Sequence, residues 1–82
     1  MPGLVVLDVR GPGERALGHI EGSAHVPLAQ LRGRTGELDP ARPVVAYCAA
    51  GYRSSIAASL LRARGFGDVS DLIGGYRAWV AA

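Results

Sequence analysis

Apolar positions along this chain fall into short runs separated by glycine and proline. LVVLDV at residues 4–9 is a β-branched run closed by Gly11, Pro12 and Gly13, the pattern of a buried strand. Glu14 to Leu17 leaves room for a short helix before Gly18. A turn at Glu21, Gly22 and Ser23 then leads into a short strand at Ala24 to Val26, which Pro27 ends. Leu28 and Leu31, three apart, fit one or two helical turns, and the polar segment 33–43, with two prolines, is a surface connection. VVAYC at 44–48 is a second strong strand, followed by a glycine-containing loop and a helix starting near Ser54. In that helix Ile56, Ala57, Leu60 and Leu61 share a face, Arg62 and Arg64 lie in the last turn, and Gly65 is the stop. Phe66 to Leu72 gives a further strand and Gly74–Gly75 a turn. Tyr76 to Ala81 forms a last helix, which Tyr76 and Trp79 are expected to anchor to the core.

Strands alternating with helices require crossover connections. The fold class is therefore α/β: a small open, largely parallel sheet with helices on both faces. In such sheets ligands sit at the carboxyl ends of strands, where Cys48 lies. A length of 82 residues gives a single domain, near the limit at which a hydrophobic core alone holds a fold. With 49% hydrophobic and 6% aromatic residues, that core is aliphatic. All nine basic residues are arginines, dispersed from Arg10 to Arg77, so no basic stripe points to nucleic acid. No apolar run spans a bilayer and no leader pattern stands at the start, which leads to the expectation of a cytoplasmic protein without a membrane partner. The single cysteine makes no internal disulfide. The absence of clustered ligand residues gives no metal site, and no cofactor is expected.

The stretch YCAAGYRSS, residues 47–55, is where chemistry is expected. A loop that leaves a buried strand and opens a helix turns several free N–H groups inward, over the positive end of the helix dipole. If the anion held there is the Cys48 thiolate, its pKa falls below the free value and the sulfur becomes a nucleophile near neutral pH. Ala49, Ala50 and Gly51 let the backbone curl round the sulfur, and Gly51 tolerates positive φ. Arg53 adds positive charge at the rim, and Ser54 or Ser55 serves as a helix cap. Tyr52, at the loop tip, is either a rim contact for a donor or simply exposed. A thiolate stabilised in this way needs no base at the moment of attack, so neither His19 nor His25 is required. By composition alone a lone cysteine is a small buried hydrophobe; its place in this constellation raises the nucleophilic reading above that one.

The chain resembles a single-domain rhodanese-like sulfurtransferase. The resemblance runs through LDVR at 7–10 with Glu14, GHIEGSAHVPL at 18–28, VVAYCAAGYRSSIAA at 44–58, GF at 65–66 and LIGGYRAW at 72–79. It implies that Cys48 takes a sulfane sulfur from a small donor such as thiosulfate or a persulfide. The outer sulfur then passes to an acceptor such as cyanide or a thiol, and a protein donor or acceptor fits the same scheme. Ala49, Ala50, Gly51, Tyr52 and Arg53 match the cradle that holds the persulfide. Alternatives are a sulfur carrier without turnover or an interaction module within the same family, and, as the nearest chemical rival outside it, a cysteine-dependent phosphatase or arsenate reductase. The phosphatases place five residues between cysteine and arginine. Here four intervene, a bowl suited to one sulfur atom rather than a tetrahedral oxyanion.

Two departures from the family pattern stand out. Ala49 and Ala50 replace the basic or polar side chains of members that use thiosulfate well, which leaves Arg53 as the one evident loop cation. Only Met1, Pro2 and Gly3 precede Leu4, so the single domain spanning 1–82 reads as short at its amino end. It is then either a minimal form stabilised by self-association or one with an edge covered by a partner. Asp8 and Arg10 leave a strand end, where an ion pair ties down the next loop.

Overall fold

A computed structural model describes residues 3–82. Four strands, β1 (Val5–Asp8), β2 (Ala24–His25), β3 (Val44–Tyr47) and β4 (Val69–Asp71), form one sheet in the order β2-β1-β3-β4. All three pairings are parallel, with Asp8 opposite both His25 and Tyr47. The helices are α1 (Pro12–Ala16), α2 (Leu28–Arg34), α3 (Tyr52–Ala63) and α4 (Gly75–Ala81), and a short 3₁₀ turn at Thr35–Glu37 follows α2. The crossover from β1 to β2 runs opposite to those from β2 to β3 and from β3 to β4. Right-handed connections therefore put α1 on the face opposite α2 and α3, and the expected α/β sheet with helices on both faces is found. The short amino end expected at Met1 and Pro2 lies outside the described residues.

Alternation along β3 divides the molecule. Val44, Ala46 and Cys48 join the aliphatic core with Leu7, Val9, Leu31, Ala57, Ala58, Leu61 and Phe66. Tyr47 points to the other face, where its hydroxyl donates to Asp8 Oδ2 at 3.0 Å and its ring lies 6.1 Å from that of Tyr76. On that reverse face Asp8, fully buried, accepts from the Arg10 backbone N–H, Arg10 Nε and Nη2, and Arg15 Nη1. The Arg10 guanidinium lies over both tyrosine rings, 4.4 Å from the centre of Tyr76, and donates to the Gly18 carbonyl. The tie expected of Asp8 and Arg10 is present, and it organises a whole face.

Several boundaries differ from the sequence pattern. α1 begins at Pro12, two residues before the expected Glu14, because proline at the first helical turn needs no N–H partner. Gly11 has no side chain with which to cap, so only the reciprocal half of a capping box forms: the Gly11 N–H donates to Glu14 Oε1 at 3.1 Å. β4 is shorter than Phe66–Leu72, while Phe66 itself is buried in the core. α3 starts at Tyr52 rather than near Ser54, and its buried face is Ser54, Ala57, Ala58 and Leu61. Ile56, expected inside, is 43% exposed. Ser54 takes the first inward position because it faces the Cys48 sulfur, so a pattern read from apolar residues alone is rotated by one position. Trp79, expected to anchor α4, is 53% exposed, and only Tyr76 packs inward.

The stop at Gly65 is as expected. Gly65 has φ +93°, its N–H donates to the Arg62 carbonyl, and the Phe66 N–H reaches back to Leu61, the two bonds of a Schellman motif. Leu61 is fully buried beneath this cap. Leu61→Ala is expected to cost about 2–5 kcal/mol in urea unfolding; a loss under about 1 kcal/mol would mean that the core closes around the gap.

Candidate functional site

The carboxyl end of β3 delivers Cys48 to the floor of a loop made by residues 48–51. Gly51, with φ +116°, turns the chain into α3, a conformation that side-chain-bearing residues rarely adopt. The turn directs amides at the sulfur: the Gly51 N–H lies 3.1 Å and the Ser54 N–H 3.4 Å from Sγ. The Ser54 hydroxyl is 3.6 Å away and also donates to the Gly51 carbonyl at 3.1 Å. Ser54 is therefore part of the site rather than a cap, and the Ser55 hydroxyl donates to the Tyr52 carbonyl. Cys48 is 1% exposed, covered by the loop that surrounds it.

Burial disfavours a charged sulfur, yet the thiol pKa is lowered from its ordinary 9.0. Hydrogen bonding with the Ser54 side chain, then from the Ser54, Gly51 and Ala50 amides, outweighs the desolvation. Ser54→Ala removes the hydroxyl. It is expected to slow iodoacetamide alkylation at pH 7 several-fold and to move the pH midpoint of that reaction upward. An unchanged profile would remove Ser54 from the site.

Arg53 is placed beside the sulfur but is not a free cation. Its two terminal nitrogens bind the Glu14 carboxylate at 2.6 and 2.8 Å. This pairing, with the Gly11 N–H, pushes the Glu14 pKa from 4.5 to about 2 against a smaller cost of burial. Arg53 is held in its charged form chiefly by Glu14 and only more weakly by Cys48. The loop cation expected at Arg53 is thus paired with a carboxylate. Glu14, three residues after Gly11 and opposite Arg53 in space, carried no sequence signal for that partnership beyond the helix-start pattern. Tyr52 is 78% exposed at the rim. Ala49 and Ala50 line the loop with no polar side chain to offer a substrate.

A groove of about 380 Å³, lined by Val9, Gly11, Pro27, Leu28, Ala29 and Arg53, lies beside this arginine and is mostly apolar. A larger groove of about 540 Å³ runs along α1 past His19 and His25 and shares no residue with the cysteine loop. His25 Nε2 lies 2.7 Å from the Arg10 carbonyl, a structural bond. Among the described residues no three His, Cys, Asp or Glu gather to hold a metal, and no helix is long and apolar enough to cross a membrane.

A parallel α/β sheet with a cysteine at a strand end, ringed by main-chain amides at a helix start, defines a class of proteins whose loop stabilises a thiolate. Within that class the chain belongs to the rhodanese-like family: it matches the rhodanese-like domain over residues 1–82. It is 39% identical over 79 residues to the thiosulfate sulfurtransferase GlpE of Ectopseudomonas mendocina, covering 96% of this chain and 72% of GlpE. It is 40% identical over 74 residues to the uncharacterized protein YqhL of Bacillus subtilis, covering 90% of this chain and 59% of YqhL, so it spans under two thirds of that relative's length. The crystal structure of a rhodanese-related protein from Thermoplasma volcanium superposes with a TM-score of 0.90 at 33% identity, covering 96% of this chain and 78% of that one.

Proposed function

We propose that this chain is a sulfurtransferase that carries sulfane sulfur as a persulfide on Cys48, and that organic persulfides serve it better than thiosulfate. The observation that carries the reading is the convergence of the Gly51 and Ser54 amides on Sγ, at 3.1 and 3.4 Å. In the first half-reaction the Cys48 thiolate attacks the outer sulfur of a donor R–S–S⁻. The donor S–S bond breaks, its electron pair leaves with the thiolate R–S⁻, and Cys48 becomes a persulfide. In the second, a thiolate or cyanide takes the terminal sulfur, and the bonding pair returns to Cys48. Negative charge remains at the loop throughout, where preset amides stabilise it without reorganisation.

Two features favour the organic donor. The Arg53 charge is already neutralised by Glu14, which weakens its pull on a dianion such as thiosulfate. The mostly apolar groove beside Arg53 has Val9, Pro27, Leu28 and Ala29 to receive a carbon chain. The similarity to a thiosulfate sulfurtransferase supports the transfer chemistry, while the side chains after Cys48 speak for a different preferred donor.

The test is thiocyanate formation from cyanide with either glutathione persulfide or thiosulfate as donor. The expected result is a kcat/KM at least about tenfold higher with the persulfide, a margin one displaced charge contact supplies. Equal or better use of thiosulfate would overturn the donor preference, and no thiocyanate from either would overturn the transfer itself. A companion variant, Glu14→Gln, frees Arg53. It is expected to raise kcat/KM for thiosulfate several-fold at low salt, with the gain shrinking as ionic strength rises.

A further inference from the structure

The start of the loop that carries the sulfur is held in place from behind by a different part of the chain. The Cys48 carbonyl accepts from the Tyr76 N–H at 2.7 Å, and the Ala49 carbonyl from the Arg77 N–H at 3.1 Å. In a trans peptide the C=O of one residue and the N–H of the next point in opposite directions. Fixing those two carbonyls toward α4 therefore turns the Ala49 and Ala50 N–H groups away from α4. The two peptides so fixed lead directly into the turn at Gly51, whose N–H lies 3.1 Å from the sulfur. The first turn of α4 has N–H groups to spare, since they lack partners within the helix. Two successive glycines bring them there, Gly74 with φ +79° and Gly75 with φ +62°. At Gly75 a Cβ would lie 2.5 Å from the Cys48 oxygen and 2.6 Å from the Ala49 oxygen, contacts that no side chain tolerates.

We propose that Gly75 is a positioning residue for the cysteine loop: by admitting the amino end of α4 against the Cys48 and Ala49 carbonyls, it fixes the two peptides that lead into the turn whose Gly51 amide faces the sulfur. The inference rests on Cys48 being the sulfur-carrying group. It adds that the loop is not preset by its own sequence alone; residues 26 to 29 positions further along complete it. The exposed Trp79 end of α4 takes no part.

Gly75→Ala is expected to lower the rate of Cys48 alkylation by iodoacetamide at pH 7 about tenfold, equivalent to one lost charge-assisted hydrogen bond, and to move the midpoint of its pH profile upward. Arg77→Pro removes the donor to Ala49 at a first-turn position where the helix itself does not use it, and is expected to shift the profile in the same direction. Trp79→Ala, in the same helix but away from the loop, is expected to leave the profile in place even if it lowers the melting temperature. An unshifted profile in folded Gly75→Ala or Arg77→Pro protein overturns the proposal, as does an equal shift in Trp79→Ala. In the unsubstituted protein, the Tyr76 and Arg77 amide resonances are expected to titrate with the same midpoint as Cys48; resonances that stay fixed overturn it without any variant. Alkylation and resonance titration need no sulfur donor. A chain that accepts no sulfur while showing these shifts therefore refutes the proposed function but leaves the positioning role standing.

Discussion

Replacing Asp8 by alanine is expected to abolish cooperative folding, or to lower unfolding free energy by about 3–5 kcal/mol where a folded state survives. That is the usual cost of orphaning one partner of a buried ion pair. A domain of this size has roughly 4–12 kcal/mol in all. Asp8 is fully buried, and Arg10 is 4% exposed. Without the carboxylate, the Arg10 guanidinium keeps, among the described residues, the Gly18 carbonyl and the faces of Tyr47 and Tyr76, while Tyr47 and Arg15 each lose an acceptor. Burial raises the Asp8 pKa, but the hydrogen bonds from Arg10 and Tyr47 and the Arg10 charge more than reverse it, leaving it below the ordinary 3.8. A carboxylate with a depressed folded pKa contributes stability that is fully present above its unfolded value and is lost as pH falls toward the folded one. Glu14, at about 2 against 4.5, adds a smaller, solvent-screened contribution of the same sign. Stability should therefore hold at neutral pH and decline as the solution is acidified below about pH 4.5. Urea titrations of the parent and of Asp8→Ala at pH 7 and pH 3 check both statements. A variant within about 1 kcal/mol of the parent, or a parent equally stable at both pH values, would contradict them.

Cys48→Ser is expected to reduce thiocyanate formation at least about a thousandfold, to the uncatalysed background. The substitution changes one atom in a closely fitted site. The fold should survive it, because an oxygen in the same place still meets the Gly51 and Ser54 amides. What disappears is a sulfur whose ionisation the loop favours: a serine hydroxyl is far less acidic than a thiol, and its oxygen does not form a persulfide. Intact melting behaviour together with lost transfer assigns the chemistry to the sulfur. Retained transfer would move it elsewhere in the chain.

The strands were legible because β-branched runs bounded by glycine and proline have few other uses in a chain this short, and LVVLDV and VVAYC became β1 and β3 with small changes at their ends. The Cys48 loop was legible for a similar reason: small residues between a strand and a helix leave the backbone amides as the only available polar groups. Side-chain partnerships across the fold were not. Arg53 and Glu14 are 39 positions apart, and nothing local in either segment signals that one neutralises the other. Serine suits a helix start, so the pattern offers Ser54 or Ser55 as a cap, whereas Gly51 takes that place and frees Ser54 to face the sulfur. Tyr76 and Trp79 gave the same sequence signal, yet Tyr76 meets an arginine and a second ring while Trp79 is half exposed. The link between Gly75 and the cysteine loop is a backbone contact, invisible to any pattern of side chains.

The most direct measurement is the intact mass of the protein after exposure to glutathione persulfide and removal of the excess, followed by a second mass after cyanide. The expected result is a gain of one sulfur atom on Cys48, complete reversal by cyanide, and neither change in Cys48→Ser. A parent protein whose mass does not change, or one that gains sulfur equally in Cys48→Ser, would contradict the assignment of sulfur transfer to this loop.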